Sequence, residues 1–413
     1  MTCRHCKSLN THKILNLGVA PPSNAYVTAQ TLCAGEVTYP LVVRVCHNCW
    51  LVQTEDYTVA SDLFDSSYAY FSSTSTSWLK HANEYFKAIS HELGLGSNSL
   101  VIEIASNDGY LLKNFVDAKI PCLGIEPTNS TADAAEKIGV PTAREFFTEN
   151  YGQFLAQQGK QADLIIGNNV YAHVPNINDF TLGIKAVMKP TGTVTLEFPH
   201  LMQMLEKNQF DTVYHEHFSY LSLSTVKRIF SFAGLRIWRV EKLNTHGGSL
   251  RIYGCHETDK RLEEASVEMI LSDEIKSSLL EPSGYNRFQM NADKIKNDFL
   301  QFLLEKKQAG KTVAAYGAAA KGNTLINYAG VKPDLIEYVC DAAASKQGKW
   351  LPGSRIPILH PSELNTRRPD FVIILPWNIA AEVQSQNRAV ESMGGRFVIA
   401  VPRLMCLPPI ETF

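Results

Sequence analysis

Val101-Ile102-Glu103-Ile104-Ala105-Ser106-Asn107-Asp108-Gly109-Tyr110-Leu111-Leu112 is the stretch that decides the fold. A β-rich run from Leu100 to Ile104 ends in small and polar residues, and an apolar, helix-like run begins at Tyr110. Strand, tight turn and helix start form the nucleoside corner of a doubly wound α/β sheet. The turn is not G-x-G-x-x-G: Ala105, Ser106 and Gly109 give a looser version, with the acid Glu103 inside the strand end. About twenty residues on, where a ribose-binding acid belongs, Leu123-Gly124-Ile125-Glu126-Pro127 reads as a second short strand ending in a carboxylate. An acid in the first strand and another after the second suit S-adenosylmethionine (SAM). That cofactor has a ribose and a cationic methionine end but no phosphate, so the turn need not be all glycine. The spacing favours SAM over NAD. Glu103, Ala105, Asn107, Gly109 and Glu126 are the expected cofactor contacts of this corner.

The whole chain sets the frame. Its 413 residues are enough for two or three domains, each with its own core. A hydrophobic share of 45%, a charged share of 19% and a net charge of -2 describe an ordinary globular enzyme. They give no reason to expect nucleic-acid wrapping or an anionic membrane surface. No apolar run approaches the ~18 residues of a membrane span, and the N-terminus lacks a basic-then-apolar signal. The expected compartment is the cytoplasm. Nine cysteines, an odd number in a long chain, argue against a secreted disulfide framework.

Cys3-x-x-Cys6 and Cys46-x-x-Cys49 are paired knuckles. Thiolates two apart on a tight turn can share one tetrahedral ion, and two such turns supply four soft ligands. A closed four-thiolate site has no open position for substrate, so the expected Zn2+ is structural. His5 and His47 lie in the same loops but are not needed. The segment between the knuckles, with Pro21-Pro22 and the strand-like 41–45, is too small for a core of its own. Cys33, Cys122, Cys255, Cys340 and Cys406 read as packed or incidental thiols.

The first lobe continues from the opening strand. Residues 61–77 are rich in Ser and Tyr and lead into an amphipathic helix over 77–93 that could bring the aromatics across the cofactor mouth. Residues 162–169 and 192–198 read as the fourth and fifth strands. The helix expected over 224–233 stops at Gly234. Strands over 235–240 and 249–254 are joined by Asn244-Thr245-His246-Gly247-Gly248, a closing hairpin expected of a SAM-dependent methyltransferase sheet more than of a dehydrogenase. Ligands gather at the carboxyl ends of such strands. Asn168-Asn169-x-x-x-His173 and His246-Gly247-Gly248 are placed there.

Asp211-Thr212-Val213-Tyr214-His215-Glu216-His217-Phe218-Ser219-Tyr220 gathers several acid-base groups in one small volume. His-Glu-His is not the H-E-x-x-H helix of a metalloprotease, whose histidines share a face. General acid-base work fits better, because His titrates near neutrality and a neighbouring carboxylate can tune it.

A second lobe follows. Residues 258–309 read as charge-rich connecting helices broken at Pro282-Ser283-Gly284, with dimer contacts as another use. Thr312 to Asn323, containing Tyr316-Gly317-Ala318-Ala319-Ala320-Lys321-Gly322-Asn323, is again strand, small-residue turn and helix, without Walker spacing. A following strand ends at Asp341, ahead of Lys346, Gln347, Gly348 and Lys349, and strands over 370–375 and 397–401 complete a parallel sheet. Bottom-up, this lobe could hold NAD or a nucleoside diphosphate.

Together these motifs resemble the SAM-dependent sugar C-methyltransferases that act on nucleotide-linked 4-keto-6-deoxy sugars. The resemblance runs over essentially the whole chain: the paired knuckles, Glu103 to Gly109, Asn168-Asn169-Val170-x-x-His173, Tyr214 to Phe218, His246 to Arg251 and Tyr316 to Asn323. Ala105 stands where such enzymes often carry Gly. The resemblance implies two Rossmann-like α/β lobes with a small N-terminal zinc-binding domain: 1–65 for zinc, 66–257 for the SAM-binding methyltransferase domain and 258–413 for a nucleotide-sugar-binding domain with its helical linker. It implies catalytic roles for Tyr214, Glu216 and His217, with His173 and an aromatic-loop tyrosine, Tyr68 or Tyr70, lining the pocket. His217 is the expected base, oriented by Glu216, with Tyr214 or His173 donating to an enolate oxygen. Asn168 and Asn169 are expected at the cofactor. His246, Gly247, Tyr316, Gly317, Lys321, Asn323, Lys346 and Gln347 are expected at an NDP-4-keto-6-deoxyhexose, which the resemblance favours over NAD in the second lobe. A monomer or weak homodimer is expected, with neither nucleic acid nor membrane as partner.

Overall fold

The computed structural model describes residues 1–57 and 71–409. Tyr68 and Tyr70, and the reach of their loop over the cofactor mouth, lie outside the described residues. Three sheets organise the rest.

The first sheet pairs β1 (Thr11–Ala20), β2 (Tyr39–Cys46) and β3 (Val52–Thr54) antiparallel. The second contains β4 (Val101–Ile104), β5 (Cys122–Ile125), β6 (Thr142–Ala143), β7 (Ala162–Asn168) and β8 (Met188–Pro199). Next in the chain, β9 (Ser219–Tyr220) leaves this sheet and pairs with β3. The zinc segment thus takes its fourth strand from the loop just after the Tyr214–His217 cluster. β10 (Leu235–Leu243) and β11 (Ser249–His256) close the second sheet, whose order is β10-β11-β8-β7-β4-β5-β6. β11 runs antiparallel to both neighbours, as the closing hairpin required. All four residues of β4 are buried, the pattern of a central strand covered on both faces.

The third sheet comprises β12 (Val313–Tyr316), β13 (Val339–Cys340), β14 (Ile358–Leu359), β15 (Phe371–Ile374), β16 (Arg396–Ile399) and β17 (Met405–Cys406). Its order is β14-β13-β12-β15-β16-β17, parallel except at β17. In both large sheets the order reverses beside the first strand, between β4 and β7 and between β12 and β15. A crevice forms at such a point.

Helices cover the sheets where periodicity placed them. Helix Thr76–Glu92 is capped by Ser75, which accepts from the Trp78 N–H. Helix Leu223–Phe232 is capped by Ser222 and ends before Gly234, whose φ of +72° suits a helix stop. The linker forms helices Ala265–Lys276 and Phe288–Gln308 around a 3-10 turn at Pro282–Tyr285. Its Glu274 accepts from the Leu223 and Ser224 N–H groups, at 2.6 and 2.8 Å, which ties the linker to the first lobe. Leu15, Val43 and Val45 share one buried cluster with Phe288, Phe299, Leu325 and Ile373. The segment between the knuckles has no private core; it borrows that of its neighbours. No helix among the described residues is long and apolar enough to cross a membrane.

Candidate active site

The four knuckle cysteines converge, every sulfur within 4.8 Å of the others. Cys3–Cys49 and Cys6–Cys46 sulfurs are 3.4 and 3.5 Å apart. Thiolates at ~2.3 Å from a tetrahedral zinc would stand about 3.8 Å from one another, so the cluster fits the ion. His5 instead bonds Asn178 at 2.8 Å, and His47 meets His12. The site is a closed four-thiolate zinc centre.

At the β4 corner, the chain turns through left-handed backbone at Ala105 (φ +56°), Asn107 (+51°) and Gly109 (+77°). Glu126 accepts the Asn107 N–H at 3.0 Å and the Thr128 N–H at 2.9 Å. The carboxyls of Glu103, Asp108 and Glu126 crowd this corner. Burial and the two neighbouring acids push Glu103 well above the ordinary carboxyl range. Oε2 of Glu103 and Oδ1 of Asp108 are buried without a partner. None of the three acids forms an ion pair among the described residues. A diphosphate would be repelled here, whereas a ligand bringing a ribose and positive charge would be held. The corner fits SAM. Ser72 and Ser73 donate backbone N–H bonds to Asn107 and Asp108, at 2.9 and 3.0 Å, so the end of the Ser/Tyr-rich run docks on this turn. Asn168 reaches the Tyr110 hydroxyl at 3.5 Å, and Asn169 bonds the His246 ring at 2.9 Å.

The Tyr214–His217 loop lies between the 3-10 turn Phe210–Thr212 and β9, fixed at both ends. His217 Nδ1 is 2.9 Å from the Thr212 carbonyl, which can only accept. Nδ1 therefore carries the proton, and Nε2 presents a lone pair to the Tyr214 hydroxyl at 2.7 Å. The His173 ring stands 4.5 Å from the His217 ring, centre to centre. Burial, then His173, lowers the basicity of His217 well below 6.5, with Lys321 and His246 adding to the effect. Burial brings His173 down to about 4, although its ring also bonds the Glu216 carbonyl. His217 is thus a neutral, tautomerically fixed imidazole.

One expected contact is corrected. Glu216 does not orient His217; the Thr212 carbonyl does. Consecutive residues of this irregular loop face different ways: His215 toward the Pro40 carbonyl at 3.3 Å, Glu216 toward Asn24, His217 toward Thr212. Oε1 of Glu216 accepts from Asn24 N at 3.3 Å and Asn24 Nδ2 at 3.1 Å, leaving Oε2 buried and unpartnered. Burial pushes the Glu216 carboxyl up, against these hydrogen bonds.

The second lobe meets the first at the 245–248 turn. Gly247 has φ +90°, and a Cβ there would lie 2.5 Å from Trp377 and 2.8 Å from Gln209. Trp377 Nε1 donates to buried Asp211 at 2.7 Å. Burial raises Asp211 to about 6, although Lys321 and Trp377 oppose it. Lys321 bonds Asn378 at 3.3 Å and lies 5.0 Å over the Trp377 ring. Its charge also acts on Asp211, His217 and His246 across the lobe interface. Asn323 is 1% exposed with neither amide atom partnered, an opening for a ligand. Gly317 (φ +91°) packs on Pro376 beside Tyr316 at the end of β12. Lys346 and Gln347 hold the turn that was expected to meet the substrate. Lys346 donates to the Ala318 carbonyl at 3.1 Å, and Gln347 to the Asp341 carbonyl at 2.9 Å. Asp341 accepts the Ala318 N–H at 2.7 Å, repeating the Glu126–Asn107 device of the first lobe.

Comparison with known proteins completes the description. A model for the C-methyltransferase C-terminal domain matches residues 244–402, a zinc binding domain residues 3–64 and a methyltransferase domain residues 78–240. The C-methyltransferase NovU of Streptomyces niveus is 32% identical over 400 residues, covering 97% of this chain and 95% of NovU. The chain belongs to the C-methyltransferase family. It is a SAM-dependent enzyme that carries structural zinc. The uncharacterized methyltransferase ML2584 of Mycobacterium leprae is 29% identical over 99 residues, 24% of this chain and 36% of that one. The magnesium protoporphyrin IX methyltransferase ChlM of Synechocystis PCC 6803, solved with bound SAM, aligns with a TM-score of 0.33 and 14% identity, over 43% of this chain and 79% of that one. The fold assignment stands on strand order instead.

Parts of this C-methyltransferase site escaped the sequence reading. Glu197, at the end of β8, accepts from His81 at 2.9 Å, Arg251 at 2.7 Å and Thr245 at 2.8 Å. Burial would raise its pKa, but His81 and Arg251 hold it down to about 2. This network ties helix Thr76–Glu92 and the His246 turn to the sheet. The only sequence signal was an acid closing an apolar strand. Asn24 and Thr212 gave none beyond their nearness to Pro21-Pro22 and to the histidine cluster.

Proposed function

We propose that this C-methyltransferase methylates C3 of a nucleotide-linked 4-keto-6-deoxy sugar, with His217 as the base that removes the C3 proton. The observation carrying this reading is the His217–Tyr214 pair, a neutral imidazole whose lone pair is fixed on Nε2 and faces the Tyr214 hydroxyl. A carbon becomes a nucleophile only after losing a proton, and a neighbouring ketone makes that loss feasible. Methyl transfer to an amine would need no such base, and transfer to a hydroxyl would need no enolate.

In this account the sugar ketone draws the Tyr214 hydroxyl away from Nε2, and the freed lone pair takes the C3 hydrogen. The C–H electron pair moves into the enolate, with the charge on the ketone oxygen. Tyr214 donates to that oxygen; His173 spends a ring N–H on the Glu216 carbonyl, which leaves Tyr214 as the donor. Lys321, close enough to depress both His217 and His246, adds positive potential. Oε2 of Glu216 accepts a sugar hydroxyl or amine and aims C3 at the base. SAM, when bound, supplies an electrophilic methyl on a cationic sulfur. Glu103, Asp108 and Glu126 hold its ribose and charged end, and Asn168 and Asn169 flank it. The nucleotide lies along the Tyr316–Asn323 turn, with Asn323 offering both amide atoms.

On this reading, residues 1–65, 66–257 and 258–413 divide zinc, cofactor and nucleotide binding. A monomer or weak homodimer suffices, since one chain contributes all the named groups. Nine cysteines without a disulfide, four of them at the zinc site, suit the reducing cytoplasm. The test is hydrogen exchange. In deuterated water without SAM, the enzyme should wash deuterium into C3 of the keto sugar, and His217→Ala should abolish the exchange. No exchange in the wild type, under conditions where methyl is transferred once SAM is added, would contradict stepwise enolisation.

A further inference from the structure

We infer that Asn24, delivered by the zinc-bearing segment, is a positioning residue for the Glu216 carboxylate, so that this segment completes the catalytic site. The inference rests on the reading of Glu216 as a substrate-facing group. Asn24 gives both its backbone and side-chain N–H groups to one oxygen of Glu216, at 3.3 and 3.1 Å. The other oxygen stays buried without a partner. Such an arrangement selects one rotamer and leaves one oxygen for a ligand. A local role for Asn24 would not need a partner 192 residues away.

The segment carrying Asn24 is itself pinned to the second lobe. The Tyr26 hydroxyl donates to the Ala318 carbonyl at 2.6 Å, within the Tyr316–Asn323 turn. Val27 and Trp350 exchange backbone hydrogen bonds at 3.0 and 2.9 Å, and Glu36 pairs with Arg355 at 3.1 Å. Asn24 thus stands between the nucleotide-side turn and the acid-base loop, on a strap anchored at both ends. Among the described residues, the titratable groups facing Glu216 are Tyr26 on the strap, Tyr220 on β9 and His173, which bonds its carbonyl, with the Lys346–Asp341 pair beyond Tyr26. Neither the two tyrosines nor His173 supplies a charge to the carboxylate near neutral pH. Its ionised form therefore depends on hydrogen-bond donors, of which Asn24 contributes two.

The test uses the zinc-loaded enzyme, SAM and a 4-keto-6-deoxy sugar nucleotide. Asn24→Ala should lower kcat about tenfold, the effect of removing one hydrogen bond to a charged group, with KM for SAM and zinc content unchanged. Asn24→Asp sets a second carboxyl against Glu216. It should lower kcat further and move the acid limb of the pH profile upward, with activity recovering at higher pH. In the Glu216→Gln background, Asn24→Ala should have no further effect. Glu216→Gln with full activity would overturn both the inference and the substrate-facing reading. Glu216→Gln inactive, with both Asn24 variants showing the wild-type rate and limb, would overturn the positioning role alone. A loss in the Asn24 variants that tracks zinc loss while the limb stays put would also overturn it.

Discussion

His217 sits where no water is needed to hold its tautomer, because the Thr212 carbonyl does so at 2.9 Å. The pH behaviour follows from the sign of its shift. Burial disfavours the imidazolium, so the neutral base persists below 6.5. The acid limb of kcat/KM attributed to His217 should therefore lie below pH 6.5, as a pH–rate profile would show. Tyr214→Phe removes the proposed donor to the enolate oxygen and should lower kcat about 100-fold while SAM binding, followed by calorimetry, is unchanged. A different residue-scale test concerns Ala105, held at φ +56° where a side chain is disfavoured by about 1 kcal/mol. Ala105→Gly should raise the denaturant midpoint accordingly and leave SAM affinity intact. At this scale the structure brings some of the expected residues together and turns one away. Tyr214, His217 and His173 do meet. Glu216 was assigned to His217 because they are neighbours in sequence, but in an irregular loop adjacent side chains diverge. Its partner, Asn24, comes from a distant segment that no spacing rule could bring near.

Among the elements, the strands and the closing hairpin were readable because β-branched runs and turn residues are local signals. Glu103 and Glu126 fell at strand ends for the same reason. What was not readable is tertiary pairing: β9 joining β3, or Lys346 folding back on Ala318. The Glu197 network belongs to this scale. Arg251 and Glu197 are both buried, and His81 and Thr245 share the same carboxylate. Glu197→Gln would take from Arg251 its buried charge partner and leave it only the longer Glu241 pair at 3.6 Å, at a cost of about 3 kcal/mol. It should also loosen the His246 turn, seen as a higher KM for the sugar nucleotide in steady-state kinetics.

For the whole molecule, zinc, cofactor lobe and second lobe form one connected body through β3–β9, the Asn24 strap and the Trp377–Asp211 contact. Chelation of zinc should therefore abolish methyl transfer together with the folding of the β1–β3 sheet. Circular dichroism and activity should be lost at the same chelator concentration. Stability should also fall in acid. His173 and His246 are half-buried and neutral, with pKa values near 4, against 6.5 when unfolded. Their contribution is full above pH 6.5 and lost as pH falls toward 4, because the unfolded chain binds the extra protons. Asp211, raised to about 6, works in the opposite sense, its contribution being lost as pH rises through 6. His246→Asn should flatten the decline in melting temperature between pH 6.5 and 4. The most direct test of C3 methylation is transfer from methyl-labelled SAM to dTDP- and GDP-linked 4-keto-6-deoxy sugars, with the product position read by NMR. The account predicts a new methyl on C3 that is absent with His217→Ala. A methyl on oxygen or nitrogen, or a C3 methyl that persists without His217, would contradict it.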